Sequence, residues 1–273
     1  MSWTPRSGSS NPAGLGWVED TFGLRERVAV VTGAAKGGLG AHVAQALASA
    51  GARVALVDLP DRHAELDATL ASLAGEGHVA LVGDVTDEKQ VADVFDAAGA
   101  QLGPVDILVQ AAGIMLRKAA IETTLEEWSR VLEVNLTGTW LTNTAAARRM
   151  LDRGGRIVNV SSVYTNIVGP LPEPAYYASK GGVAQLTRGL AMEWSRRGIN
   201  VNCIAPGVFY PTRMTEPLAA TPGVLQAMEE RTFLGRLGDP SRDIGGLVVF
   251  LASPAAAYVT GQVIFCDGGW SAR

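Results

Sequence analysis

Short runs of β-branched and aliphatic residues recur along the chain, separated by longer alanine-rich stretches with apolar residues at helical spacing. The runs RVAVVT (27–32), RVALVD (53–58), HVALVG (78–83), VDILVQ (105–110), GRIVNV (155–160), INVNCI (199–204) and QVIFCD (262–267) predict seven strands. Most are apolar at successive rather than alternate positions, the pattern of strands covered on both faces. Helices are predicted near 39–50, 62–74, 87–101, 124–150, 175–197 and 240–252, the third opened by Thr86 and Asp87. Alternating strands and helices predict an α/β fold: a single doubly wound, Rossmann-type domain with a parallel sheet and right-handed crossovers. The one long irregular stretch, 206–239, follows the sixth strand at its carboxyl end. Open α/β sheets bind ligands there, so a substrate lid is expected around 207–238. Residues 1–22 include TPRSGSSNPAGLG and lack an apolar signal core. They are expected to form a flexible tail ahead of a domain spanning 23–273.

Composition narrows the class of function. The chain has 273 residues, 47% hydrophobic and 18% charged, with a formal net charge of -4. It has no basic run, which argues against a nucleic-acid partner, and no apolar stretch long enough for a membrane span. Cys203 and Cys266 lie in apolar runs, and His42, His63 and His78 are scattered without metal-ligand spacing. Buried, reduced thiols and no metal are expected, as in a cytoplasmic protein.

Two constellations carry chemistry. The first is VTGAAKGGLG (31–40), a glycine-rich turn between the first strand and an alanine-rich helix. Gly33 turns the chain out of the strand; Gly38, Leu39 and Gly40 open the helix, whose free N–H groups and positive dipole end suit a pyrophosphate. Asp58 ends the second strand about 25 residues on. A carboxylate there accepts hydrogen bonds from adenosine ribose and repels a 2′-phosphate, favouring NAD over NADP, although Lys36 in the turn leans the other way. Asp84 at the end of the third strand can meet an adenine amino group or simply cap the next helix. QAAG (110–113) brings the small residues Ala111, Ala112 and Gly113 to the end of the fourth strand. The second constellation is Ser162, at the end of the fifth strand, with Tyr176 and Lys180, four residues apart and so on one helix face. An ammonium beside a phenol lowers its pKa, making a tyrosine that exchanges protons with an alcohol or carbonyl oxygen, which Ser162 can polarise. Tyr177 is an immediate rival to Tyr176. Asn135, polar amid an apolar helical stretch, suits either a water-binding helix irregularity or an ordinary buried amide.

Together TGAAKGGLG, the VD at 57–58, GDVTD, AAG, VNLTG, SS, YYASK, NCIAPG and YVTGQVIFCDGGW resemble the short-chain dehydrogenase/reductase family, in order and spacing, over about residues 22–273. The resemblance implies a seven-stranded Rossmann-type fold, a homotetramer, and NAD(P)-linked interconversion of alcohols and ketones. It implies that Tyr176 is the acid/base, that Lys180 lowers its pKa and binds the nicotinamide ribose, and that Ser162 is the catalytic serine. It further implies that Asn135 holds a water in a proton relay. Val85 beside Asp84, Pro206 and Gly207, and then Phe209 and Thr212, become expected cofactor contacts.

Four departures from the family pattern stand out. The glycine turn is one residue longer than usual, so a bulge within residues 34–38 is expected near the adenosine ribose. QAAG replaces an NNAG pattern, which removes polar support from the central strands. Ser162 and Tyr176 are one residue further apart than is common, and Thr212 falls one position late after Pro206–Gly207. AAGIMLRKAAIETTLEEW and DGGW are most similar to the gluconate 5-dehydrogenase and deoxygluconate dehydrogenase group, implying a sugar acid or polyol substrate. Arg117 and Arg213 are candidates to receive a carboxylate, or else solvated arginines. Tyr164, Met115, Phe209 and Met214 would instead line a pocket for less polar ketones, as in a 3-oxoacyl reductase. A nucleotide-binding regulator without turnover is the rival outside enzymology; no GxSxG elbow supports a hydrolase.

Overall fold

The computed structural model describes residues 16–272. Seven parallel strands form one sheet in the order β3-β2-β1-β4-β5-β6-β7. They are β1 Val28–Thr32, β2 Arg53–Asp58, β3 Val79–Val82, β4 Ile107–Gln110, β5 Gly155–Val160, β6 Ile199–Pro206 and β7 Val263–Cys266. The helices are α1 Gly16–Phe22, α2 Leu39–Ser49, α3 His63–Leu70, α4 Glu88–Leu102, α5 Leu125–Leu132, α6 Gly138–Met150, α7 Pro174–Trp194, α8 Val224–Glu229 and α9 Gly245–Ala252. Apolar residues on both faces of the central strands fill two cores. Val31, Leu56, Val109 and Ile204 pack with α2 and α9 on one side. Val30, Val57, Leu108 and Ile157 pack with α4 and α6 on the other. The doubly wound fold read from the sequence is therefore present.

Strand order reverses between β1 and β4, where Thr32 lies opposite Gln110. Loops leaving these two strands splay to opposite faces, so a crevice opens at their carboxyl ends. Expected polar support is not lost here. Thr32 Oγ1 donates to Gln110 Oε1 and accepts from the amides of Ala111 and Ala112, both at 3.2 Å. Further in, Asn159 and Asn143 exchange amide hydrogen bonds, and Asn159 also donates to Thr187 Oγ1 at 3.0 Å. This buried network ties β5 to α6 and α7.

Two elements differ from the sequence expectation. The tail assigned to 1–22 is helical from Gly16 to Phe22, where α1 packs on the turn Pro254–Ala256; residues 1–15 lie outside the described residues. The helix expected at 124–150 is opened by a capping box of Thr124 and Glu127, but its centre, Glu133–Thr137, is a π-helical segment. One extra residue per turn there brings Asn135 inward. The irregular stretch after β6 contains the short helix α8, and a bridge between Phe209 and Gly238 closes its two ends against each other.

Candidate active site

α7 carries the reacting side chains because its sheet-facing stripe mixes chemistry with packing. Ala175, Tyr176, Ser179, Lys180, Val183, Ala184 and Thr187 recur at helical spacing and are all buried. Ser161, the neighbour of the catalytic candidate, donates to the Lys180 carbonyl at 2.7 Å and so pins the helix to the end of β5. Ser162 is left facing Tyr176, and its hydroxyl interaction favours the phenolate. Lys180 reaches back so that Nζ donates to the Val160 carbonyl at 2.8 Å and stands 5.6 Å from the Tyr176 ring centroid. The Tyr177 hydroxyl, unlike that of Tyr176, donates to the Leu171 carbonyl.

The electrostatics differ from the sequence expectation in one respect. Burial pushes the Tyr176 phenol up, against the smaller pull of Ser162, and the charge of Glu173 pushes it further. Burial likewise lowers Lys180, to about 8. The ammonium lies against the ring and a carbonyl rather than the phenol oxygen, so in the protein alone it does not set the tyrosine's titration. Desolvation does.

Asn135 is fully buried and fully engaged. Oδ1 accepts from the Ile114 amide at 2.8 Å, and Nδ2 donates to the Ile114 carbonyl and to Ser179 Oγ, both at 2.9 Å. It thereby clamps the segment after β4 to α7. Gly113 lies between, with room for a side chain closed off by Asn135 Oδ1 and Lys180 Nζ.

Most of the residues expected to hold a dinucleotide lie at or just beyond the carboxyl ends of β1, β2, β3, β4 and β6. A Cβ on Gly40 would stand 2.3 Å from the Gly33 carbonyl, so only glycine lets α2 begin directly on the turn. Gly38 precedes the helix with no side-chain cap, and Leu39 packs on the core beside it. The N–H groups of that first turn therefore remain open to an anion. The additional residue is absorbed at Lys36–Gly37–Gly38, where Gly37 takes φ 92° and the Gly38 amide closes on the Ala35 carbonyl. Asp58 Oδ2 accepts from the Ala35 amide at 2.8 Å and Oδ1 from the Leu59 amide at 2.9 Å, fixing the carboxylate against the turn. Asp84 Oδ1 accepts from the Thr86 amide and hydroxyl; the cap of α4 is Asp87 instead. Val85 is buried against Gly138 of α6. Pro206 ends β6, and Gly207 follows within contact of Asp267. An uncapped helix start, a ribose-height carboxylate and a backbone-lined floor fit a dinucleotide.

Phe209, Thr212, Arg117 and Arg213 also make contacts within the protein. Phe209 is buried and packs with Val160 and Ile204, and it also lines the cleft beside Gly207 and Val208. Thr212 is buried, its hydroxyl shared with that of Thr215 at 2.8 Å. Arg117 is not free for a substrate carboxylate: Nε donates to Glu173 at 2.9 Å and NH2 to the Met214 carbonyl at 3.0 Å. Arg213 fastens the segment after β6 to the glycine turn, its amide donating to the Gly37 carbonyl and its NH2 to the Lys36 carbonyl, both at 2.7 Å. Glu173 was not flagged by the sequence. The only hint is an acid just before the proline that opens α7. Tyr164 does line the site, in a cluster with Tyr176, Trp270, Met115 and Met214. A cleft of about 470 Å³ adjoins it between the lid and the β7 loop, lined by Gly207, Thr232, Leu237 and Asp267 among others.

The chain matches the family described as Enoyl-(Acyl carrier protein) reductase over residues 33–271. It is 41% identical over 255 residues to galactitol 2-dehydrogenase (L-tagatose-forming) of Cereibacter sphaeroides, covering 92% of this chain and 97% of that one. It is 39% identical to gluconate 5-dehydrogenase of Gluconobacter oxydans, covering 92% and 96%. Among solved structures, a gluconate 5-dehydrogenase of Burkholderia cenocepacia in complex with NADP and tartrate superposes with TM-score 0.86 at 33% identity, covering 94% and 99%.

A buried ammonium facing a carbonyl but no carboxylate costs stability. The lysine's pKa is lowered from 10.5 to about 8, so the charged form is penalised in the folded state below about pH 8. The penalty disappears as pH rises from there to 10.5, because only the unfolded chain still holds the proton. Lys180→Met should therefore stabilise the fold by about 2 kcal/mol at neutral pH, raising Tm by about 4–8 °C. In scanning calorimetry the gap to the unsubstituted protein should narrow above pH 8.

Proposed function

The chain belongs to the short-chain dehydrogenase/reductase family, and on that premise we propose that it interconverts a secondary alcohol and a ketone on a sugar acid or polyol. The observation that carries this reading is the convergence of Ser162, Tyr176 and Lys180 at the carboxyl end of β5, on the same end of the sheet as the glycine turn. The galactitol and gluconate enzymes it resembles support the substrate class. A nicotinamide dinucleotide, when bound, accepts or returns the hydride.

The remaining chemistry belongs to the chain. Tyr176 donates a proton to the nascent alkoxide during reduction and takes the hydroxyl proton during oxidation. Ser162 holds the same oxygen by a hydrogen bond. Burial keeps the phenol protonated in the resting protein, the form that ketone reduction requires. Lys180 lies under the phenol ring and fixes its position, and its amine, with a pKa of about 8, can pass protons near neutrality. Both heteroatoms of the Asn135 side chain are already engaged, so holding a relay water falls to the main-chain carbonyls loosened by the π segment around it.

For the cofactor we propose NAD in preference to NADP, on the carboxylate of Asp58 fixed at the end of β2. Arg213 comes close enough to that carboxylate for their charges to interact, Arg62 stands close to Arg213 in turn, and the Burkholderia relative is in complex with NADP. The choice is therefore set by which charge a 2′-phosphate meets first.

A spectrophotometric screen across sugar acids, polyols and simple secondary alcohols should show NADH formation with the first two. Its rate should climb from about pH 7 to about pH 9, the range in which Lys180, with a pKa of about 8, gives up its proton and can take on the one Tyr176 receives from the alcohol. No signal with any class would favour a non-catalytic nucleotide-binding role. In fluorescence titrations, NADH should bind more tightly than NADPH, and Asp58→Ala should narrow the difference. Tighter NADPH binding by the unsubstituted protein would overturn the role given to Asp58.

A further inference from the structure

The cations around the reacting end are mostly spoken for. Arg117 pairs with Glu173, Lys118 with Glu127 and Arg236 with Asp243, and Arg213 donates to the glycine turn. Arg231, at the end of the lid segment that contains α8, is different. Its guanidinium lies over the indole of Trp270, 5.7 Å from the ring centroid. Among the described residues no carboxylate forms an ion pair with it. Stacking occupies a guanidinium's face and leaves its N–H donors, which point outward in its plane, available for a bidentate acceptor.

Its location relates it to the chemistry. Trp270 meets Tyr164 edge-on with centroids 6.2 Å apart, and Tyr164 meets Tyr176 edge-on at 6.4 Å. These contacts join the reacting phenol to the guanidinium through one continuous aromatic wall. The charge of Arg231 acts on the Tyr164 phenol, as do those of Glu173 and Tyr176, so Tyr164 stands among all three. Because Arg117 neutralises Glu173, Arg231 leaves an unmatched positive charge at the Trp270 end of this wall, while Lys180 lies buried behind Tyr176 at the other.

We propose that Arg231 is the carboxylate-binding residue of the substrate site, so that a sugar acid is oriented with its carboxylate on Arg231 and a distal hydroxyl at Tyr176. The proposal rests on the dehydrogenase reading and narrows it from sugar acids and polyols to the acids. Trp270 holds the guanidinium flat while the fork receives both carboxylate oxygens. Since Arg231 rides on the lid, an anionic substrate also draws the lid toward the phenol. A neutral polyol of the same length lacks that attachment.

The test compares gluconate with sorbitol in the unsubstituted protein, Arg231→Gln and Arg231→Lys. Arg231→Gln should raise KM for gluconate by about tenfold or more and leave KM for sorbitol within about twofold. Arg231→Lys should recover part of the loss, and salt should raise the gluconate KM only where the cation is present. Equal changes for both substrates would mean that Arg231 only packs Trp270, and would overturn the proposal; so would unchanged KM values, or turnover of sorbitol but not gluconate. Calorimetric binding of gluconate in the presence of NADH separates this from failure of the dehydrogenase reading. Gluconate binding that is lost in Arg231→Gln, with no turnover by the unsubstituted protein, would uphold the subsite and sink the dehydrogenase reading. Absence of gluconate binding would sink the subsite.

Discussion

The site depends on an ammonium kept out of water with only a carbonyl and a ring for company. Lys180 is buried between α7 and the end of β5, bonded to the Val160 carbonyl and set against the Tyr176 ring. Among the described residues no ion pair offsets its desolvation, and its affinity for the proton falls toward the neutral range. A fold tolerates this only if the surroundings cannot relax around it. Here the Asn143–Asn159–Thr187 network and the Asn135 clamp hold α6, α7 and β5 in place, and Ser161 pins the helix backbone at Lys180 itself. The same rigidity fixes Tyr176 against Ser162, which makes the cost functional.

Charge is distributed unevenly around that centre. At the glycine turn, a carboxylate held by backbone amides stands near Arg213, which ties the segment after β6 to that turn. The lengthened turn matters here, because its tip presents the Lys36 and Gly37 carbonyls that Arg213 grips. At the substrate end, Glu173 and Arg117 cancel, and Arg117 reaches the lid through the Met214 carbonyl. The segment after β6 is thus fastened on both sides, to the glycine turn by Arg213 and to Glu173 through Arg117.

The fold was legible because it is written in local pattern. All seven strands lie within the predicted runs or extend them by two residues, as β6 does. The π segment was less legible, since one extra residue per turn barely disturbs helical periodicity; only the polar Asn135 hinted at it. α1 was missed because GWVEDTF has little apolar pattern of its own and owes its place to packing on Pro254–Ala256. Side-chain roles are harder to read where distant elements supply the partners. Arg117 and Arg213 read as anion receptors or solvated arginines, and their partners lie 56 and 177 residues away. The expected lowering of the tyrosine's pKa followed from a lysine at helical spacing, and the opposing desolvation is a property of the assembled core. Arg231 and Trp270 meet only once the lid folds back onto the loop after β7.

The central claim is that Tyr176 exchanges the proton with substrate oxygen. The most direct measurement is turnover by Tyr176→Phe, with NADH affinity measured on the same preparation. The account predicts a loss of kcat on the order of 10²–10⁴, with NADH still bound, because only the hydroxyl is removed. A folded Tyr176→Phe protein that retains full turnover would contradict it.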